Sequence, residues 1–394
     1  MATTKKKTTD KPEEEKVINK AVPVANNFDK IQGLTNDLNK KYGRKVVRSG
    51  DDIPKIHKVP FREPAIDYVY DGGWAIGRFI ESLGLEHSGK TRNALRALRQ
   101  FQRYCFGCMT DNVLTAVWET DNKTGAQVLK SCSCKNCKEP ETRVMLFVDL
   151  EGTTDPKFMS YFGIDVNGVK YVRVDMPSQA VDIVDAYLRE PQIGLIILDS
   201  VGAMGSDAEV EKSMEDIKMN QNALFLNRAT RKWQMALNSN TNATGKENGA
   251  TLCVINQSYQ TLDLISREVA QGGRGLRHGK AQSAKTSIIT KHIDPATKVV
   301  KGVHVRIVND KNKTGIPYRK MEYYLNLEKN NPDIGYCQTN INMQYVELAI
   351  MLEIIEQRGA WFFYGTDKWN GKQNVVDNLS QEVKDAVDEI LYKN

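Results

Sequence analysis

The chain has no run of eighteen or more apolar residues, so no segment reads as a membrane-spanning helix. It opens on a basic Met-Ala-Thr-Thr-Lys-Lys-Lys with no apolar stretch behind it, which is not the pattern of a secretory signal. No internal repeat recurs at a fixed period, which argues against a solenoid. Strong net charge is also missing. The formal +6 permits binding to a polyanion without demonstrating it. The seven cysteines are an odd number, and five of them fall between Cys105 and Cys137. A disulfide framework would spread them more evenly, so a metal site in a reducing compartment is expected instead. The 394 residues, 40% of them hydrophobic, suffice for a sizeable core.

Residues 1–26, rich in Lys, Glu, Thr and Pro, read as a disordered tail. From Asn27 to Tyr42, Phe28, Ile31, Leu34 and Leu38 recur at helical spacing. A loop with Pro54, Pro60 and Pro64 follows. Short apolar runs then read as strands at 77–83, 144–150, 171–174, 195–199 and 252–256. Helices are predicted from Asn93 to Tyr104, over 178–189 and over 210–238. Apolar runs alternating with helices predict an α/β fold with a mostly parallel sheet covered on both faces. Residues 285–327 alternate as antiparallel strands, and 340–394 read as a small C-terminal α/β domain. The expected division is a tail (1–26), an N-terminal helix and linker (27–60), a core (61–330) carrying a Cys-rich insertion (104–140), and the C-terminal domain (331–394).

The segment Gly84-Leu85-Glu86-His87-Ser88-Gly89-Lys90-Thr91 matches G-x-x-x-x-G-K-[ST] between a strand and a helix. Its glycines let backbone N–H groups turn onto phosphates, and the helix adds its positive end. Lys90 can reach the β and γ phosphates of a nucleotide, and Thr91 can hold Mg²⁺. Asp199 ends the apolar run LIILD and is the expected Mg²⁺ carboxylate. Glu151, after VMLFVDL, could accept a hydrogen bond from an attacking water. Gln257, after LCVIN, could touch the γ phosphate. Cys105-x-x-Cys108 and Cys134-x-x-Cys137 bracket a hairpin-like stretch and suit tetrahedral Zn²⁺ with four thiolates, with Cys132 as a substitute ligand.

With these pieces in order, the sequence resembles the bacterial RecA family from about Phe28 to the C-terminus. GLEHSGKT resembles the family's phosphate loop, including its Glu86. FVDLEGTTDPKF resembles the strand-plus-acid segment, which implies that Glu151 is the catalytic base and that Asp155 and Phe158 contact adenine. LIILDSVGAM resembles the Walker-B strand and adds Ser200 to Asp199. VINQ resembles the entry to the second DNA loop, and QGGRGLRHG its return. NDKNKTG resembles the segment that reaches the ATP of a neighbouring subunit, here through Lys311 and Lys313. RGAWFFYGTDKWNGK resembles the Trp-containing C-terminal domain. The Cys-rich insertion departs from the family pattern, as do the basic Arg274 and Arg277, and DEILYKN takes the place of an acidic tail. The insertion suits a divergent, viral member.

The resemblance implies a RecA-type P-loop ATPase that uses ATP and Mg²⁺, coats single-stranded DNA as a helical filament and pairs it with homologous duplex DNA. It would work in the cytoplasm of a bacterial cell or of a phage-infected host. Two DNA loops are expected, at about 213–220 (Lys218, Met219) and about 258–279 (Tyr259, Arg267, Gly272, Gly273, Arg274, Arg277), with Arg228 on the helix between them. Apolar Met219 and Ile265 could wedge between bases. The glycines at 272, 273, 275 and 279 are expected to let the backbone approach phosphates. The helix at 27–42 is expected to dock on the next subunit. A hexameric motor sharing Lys90, Thr91, Asp199 and Glu151 is the competing enzyme. A nucleotide-gated DNA-coating scaffold with little hydrolysis is the non-enzymatic alternative.

Overall fold

The structure, a computed structural model, describes residues 27–43, 46–53, 55–205, 221–243, 249–260 and 268–392. Residues up to Ile53 form one unit and Pro54–Asn394 another. The first contains helix α1 (Asn27–Lys41), where the predicted amphipathic helix lies. The Asn39 side chain pairs with the backbone N–H and C=O of Val47 and turns the chain back past the helix end.

In the second unit, strand β1 (Lys58–Val59) precedes helix α2 (Pro64–Tyr70). The sequence reading treats this stretch as loop. Seven residues are too few to show a period, and Pro64 stands at the first turn, where its missing N–H costs nothing. Strands β2 (Trp74–Ala75) and β3 (Phe79–Gly84) follow, then helix α3 (Lys90–Arg103), the hairpin β4 (Leu114–Thr120) and β5 (Gln127–Cys134), and β6 (Val144–Asp149). Next come α4 (Pro156–Ser160), β7 (Val169–Val172), α5 (Pro177–Leu188), β8 (Ile193–Asp199), α6 (Gln221–Ala243) and β9 (Thr251–Gln260). The chain continues with β10 (Glu268–Ala270), α7 (Gly273–Gly279), β11 (Gln282–Ile293), β12 (Val300–Asn312), β13 (Lys320–Asn326) and α8 (Ile341–Met351). It closes with β14 (Glu356–Arg358), β15 (Trp361–Tyr364), β16 (Asp367–Asn370), α9 (Lys372–Asp377) and α10 (Gln381–Tyr392).

Among the described residues, the central sheet runs β13-β12-β11-β3-β9-β8-β6-β7, with β10 paired to β9. The pairs from β11 to β7 are parallel, and β12 and β13 extend the sheet antiparallel. Strand alternation divides the core in two. Met145, Phe147 and Ile197 face the α3 side with Leu95, Leu98 and Phe101. Leu146, Val148, Ile196 and Leu198 face α5 and α6, against Val181, Val184 and Trp233. Fully burying such side chains contributes about 1.5–3 kcal/mol each, which fixes the height of every strand end. The C-terminal segment shares the α3-side core through Val346, Val383, Val387 and Leu391. Within the described residues, no helix is long and apolar enough to cross a membrane.

The expected unpatterned stretch over 258–279 is corrected. Residues 258–260 and 268–270 pair antiparallel as β9 and β10, and 273–279 are helical. Glycine's low helix propensity makes this segment read as loop, but packing against α6 overrides it. A Cβ at Gly275 would stand 2.0 Å from Asn227 Oδ1, and one at Gly279 would stand 2.6 Å from Thr230 Cγ2. These two glycines therefore let helices touch. The helix predicted over 210–238 is described from Gln221 onward and runs on to Ala243.

Candidate functional site

The register aligns the carboxyl ends of four parallel strands: Gly84 with Gln257, and Asp149 with Asp199. Whatever follows those ends converges at one sheet edge. There, a cleft of about 560 Å³ is lined by Glu86, Lys90, Thr91, Glu151, Asp199 and Gln257, with further walls described below.

The phosphate loop is held by its own crowding. Gly84 has φ +156°, and a Cβ there would lie 2.3 Å from the Thr286 carbonyl oxygen. Gly89, at φ +94°, caps α3 in a conformation that L residues rarely adopt. Ser88 Oγ lies 3.1 Å from Thr286 Oγ1, tying the loop to β11. Lys90 Nζ donates to the Leu85 carbonyl at 2.7 Å, arching back over the loop. Burial lowers the Lys90 pKa, opposed by the carboxylates of Asp199, Glu151 and Glu86.

Thr91 Oγ1 donates to Asp199 Oδ2 at 2.9 Å. Burial pushes the Asp199 carboxyl up to about 6, against that hydrogen bond. Glu151 Oε1 accepts from Ser200 Oγ at 2.5 Å and from Gln257 Nε2 at 3.2 Å, so three strand ends meet on one carboxylate. Sequence reading missed the groups that aim it. Asp149 accepts from the backbone N–H of Glu151, Gly152 and Thr154 and from Tyr171 Oη. Burial would raise the Asp149 pKa, but these bonds hold it below the usual carboxylate value. An acid inside an apolar strand is the signal that was available.

The other end of the cleft is apolar: Phe158, Leu325, Leu327 and Tyr336. The rings of Phe158 and Tyr336 meet edge to face at 6.5 Å. Tyr336 and the two leucines lie more than 160 residues beyond Phe158 in the chain, with no motif to mark them. Asp155 caps α4 by accepting from Lys157 N–H at 2.8 Å and does not line the cleft. His87 does line it, at φ +59° within the loop.

A family model described as the RecA N-terminal domain matches residues 113–330, more than half of the chain. The chain belongs to the RecA family. Protein RecA of Gloeobacter violaceus is 26% identical over 93% of this chain and 88% of its own length. Protein RecA of Mesomycoplasma hyopneumoniae is 27% identical over 91% and 94%, and that of Tropheryma whipplei 27% over 91% and 70%.

The remaining predicted residues lie elsewhere on this RecA-type core. Lys311 is in register with Ser283, which is in register with Glu81, and Lys313 N–H donates to Ala281. Both lysines thus sit at the sheet edge opposite the cleft. Lys311 Nζ donates to the carbonyls of Arg277 and His278, at the end of α7. Tyr259 and Arg228 are exposed, Gly272 caps α7, and Gly273, Arg274 and Arg277 lie within it. Lys218, Met219, Ile265 and Arg267 lie outside the described residues.

The Sγ atoms of Cys105, Cys108, Cys134 and Cys137 all lie within 4.8 Å of one another. Cys105–Cys137 is 3.7 Å and Cys108–Cys134 is 3.6 Å. Zn–S bonds of about 2.3 Å in a tetrahedron place sulfurs about 3.8 Å apart, so the four fit Zn²⁺. Cys132 Sγ instead points at the Pro140 carbonyl, 3.4 Å away.

Proposed function

We propose that the chain is an ATP-dependent DNA recombinase that coats single-stranded DNA as a helical filament and pairs it with homologous duplex. The observation that carries this reading is the meeting of Gln257 with Glu151. Gln257 belongs to β9, whose far end enters the segment assigned to DNA. A change at the γ phosphate can therefore be felt by the DNA loop through one strand.

The roles follow from position. The loop from Gly84 to Thr91, with Ser88, Gly89 and Lys90, would hold the phosphates, and the apolar wall with Phe158 the base. Asp199, Glu151 and Glu86 lie near Lys90, so a divalent cation would offset their repulsion of a triphosphate in the cleft. Thr91 Oγ1 and Asp199 Oδ2 are hard oxygens at 2.9 Å and suit Mg²⁺. ATP supplies the phosphoryl bond whose cleavage resets the filament. Glu151, oriented by Asp149 and Ser200, accepts the proton of an attacking water. Lys311 and Lys313, absent from their own chain's cleft, would reach the nucleotide of a neighbouring subunit, Lys311 leaving the Arg277 and His278 carbonyls to do so. Phe28, Ile31 and Leu34 of α1 are exposed and offer an apolar surface for the same filament contact. Cys105, Cys108, Cys134 and Cys137 would hold a structural Zn²⁺, and four thiolates would leave it no catalytic role. Work in the cytoplasm of a bacterial cell or a phage-infected host completes the reading.

The test is a strand-exchange assay with ATP, Mg²⁺ and homologous DNA, together with microscopy. Exchange on a helical filament is expected. A closed ring without exchange would point to a hexameric motor, and filaments without ATP turnover to a scaffold.

A further inference from the structure

A second cleft of about 560 Å³ opens between the four-cysteine hairpin and α3. Helix α3 carries arginines at 92, 96, 99 and 103, spaced three or four apart and therefore neighbours on its surface. The first two share one carboxylate. Arg92 grips Glu63 through both oxygens at 2.6 and 2.7 Å, and Arg96 adds a contact at 3.1 Å. The next two line the cleft, and among the described residues neither Arg99 nor Arg103 makes an ion pair, although Asp165 lies near enough to act on Arg99. Lys135 faces them from just after the hairpin, and among the described residues it makes no ion pair either. Arg143, a fourth cation at the wall, is committed to Glu141 and to the face of Phe106. One carboxylate, Asp165, lines the cleft, and it accepts from the Asn167 N–H.

A guanidinium does not shed its proton near neutral pH, so the cleft stays cationic, with Asp165 offsetting only part of the charge of Arg99, Arg103 and Lys135. Burial lowers the Arg99 pKa, Arg103 and Arg96 lower it further, and Asp165 opposes them in part, so the cations outweigh the one carboxylate in a partly desolvated groove. The hairpin also contributes Trp118, half-buried in the wall with its ring edge against Gly168. Phosphate neutralisation beside an aromatic surface is how proteins hold single strands without sequence preference.

We propose that this cleft binds the phosphodiester backbone of a single-stranded nucleic acid, with Arg99, Arg103 and Lys135 on the phosphates and Trp118 against a base. The inference rests on the recombinase reading for its ligand class, but it uses none of that site's residues. Helix α3 belongs to the core and Trp118 to the hairpin, with Lys135 just after it, so the cleft exists only while the thiolate cluster holds the hairpin folded.

The test uses the zinc-loaded full chain and an oligo(dT) carrying 4-thiothymine. Crosslinks to the peptide containing Trp118 are expected in the parent protein. In Arg99→Ala/Arg103→Ala they should vanish, basal ATP turnover should persist, and the slope of log affinity against log salt should fall by about 1.4, at ~0.7 per phosphate contact. Lys135→Glu, on an exposed position, should lower crosslinking without touching α3. Unchanged crosslinks and slope in both variants would overturn the proposal. So would inorganic pyrophosphate protecting Arg99 and Arg103 from phenylglyoxal where oligo(dT) does not, because the ligand would then be a free polyphosphate. Failure of the parent protein to bind oligo(dT) with ATP present would instead sink the recombinase reading itself.

Discussion

The phosphate cleft and the four-cysteine hairpin are held together in different ways. The cleft hangs on strand ends whose heights are set by two buried cores, so its geometry is a by-product of packing. In the hairpin, β4 and β5 pair with each other alone, and most of their residues are half-buried or exposed. An isolated two-stranded hairpin is marginal in water. Four thiols brought within 4.8 Å therefore have to supply what packing does not. Chemistry placed on a core can be altered without unfolding it, whereas a structure placed on a metal cannot lose the metal and remain.

The largest effect that would break this contrast lies at Lys90. Lys90→Ala should cut ATP turnover roughly 10³-fold or more by removing a preorganised cation, while the melting temperature stays near that of the parent. Retained turnover would remove the loop's assignment, and a collapsed fold would show that the site is not merely carried by the core. Glu151→Gln should leave nucleotide binding intact and slow hydrolysis about 10²-fold, the scale of one positioned base. Normal hydrolysis would strip Glu151 of its role.

A smaller effect is expected in the hairpin. Cys108→Ser should lower bound zinc well below one ion per chain and raise hydrogen exchange across 114–134. Turnover should stay within about threefold, because no hairpin residue lines the cleft. Loss of turnover in step with zinc would mean that the two regions are one unit.

What could be read in advance follows the same division. Lys90 and Thr91 were legible from the spacing G-x-x-x-x-G-K-[ST], and Asp199, Glu151 and Gln257 because each ends or follows an apolar run and a parallel sheet brings such ends to one edge. The four cysteines were legible because CxxC spacing is local. Tyr336, Leu325 and Leu327 were not, because they join the cleft only through the antiparallel extension and the turn after β13. Gly275 and Gly279 were read as loop glycines for the opposite reason. Their local signal is loop, and only contact with Asn227 and Thr230 shows that closeness to a second helix is what they provide. The grip of Arg92 and Arg96 on Glu63 was equally invisible, since 29 residues separate Glu63 from Arg92.

The finest test is pH, where the two regions should respond with opposite sign. Asp67 is fully buried under the C-terminal helix, accepting from the Phe61 N–H at 2.7 Å and from Tyr392 Oη at 2.7 Å. Burial raises its carboxyl from an ordinary 3.8 to about 7, only partly opposed by those bonds. The folded core therefore holds a proton that the unfolded chain releases. This stabilisation is complete below the unfolded value of 3.8 and is lost as pH climbs through about 7. The hairpin runs the other way, because thiols must shed protons to bind metal, and acid loosens it. Between about pH 4 and 7 the core should gain stability on acidification, by no more than a few kcal/mol, while zinc is progressively released. Asp67→Asn keeps an uncharged group of the same shape and should flatten the core's melting temperature against pH in part, the rest of the slope coming from Asp199, while leaving the zinc-release curve where it was. An unflattened profile would mean that Asp67 is ionised in the folded chain, with the Tyr392 and Phe61 bonds outweighing its burial.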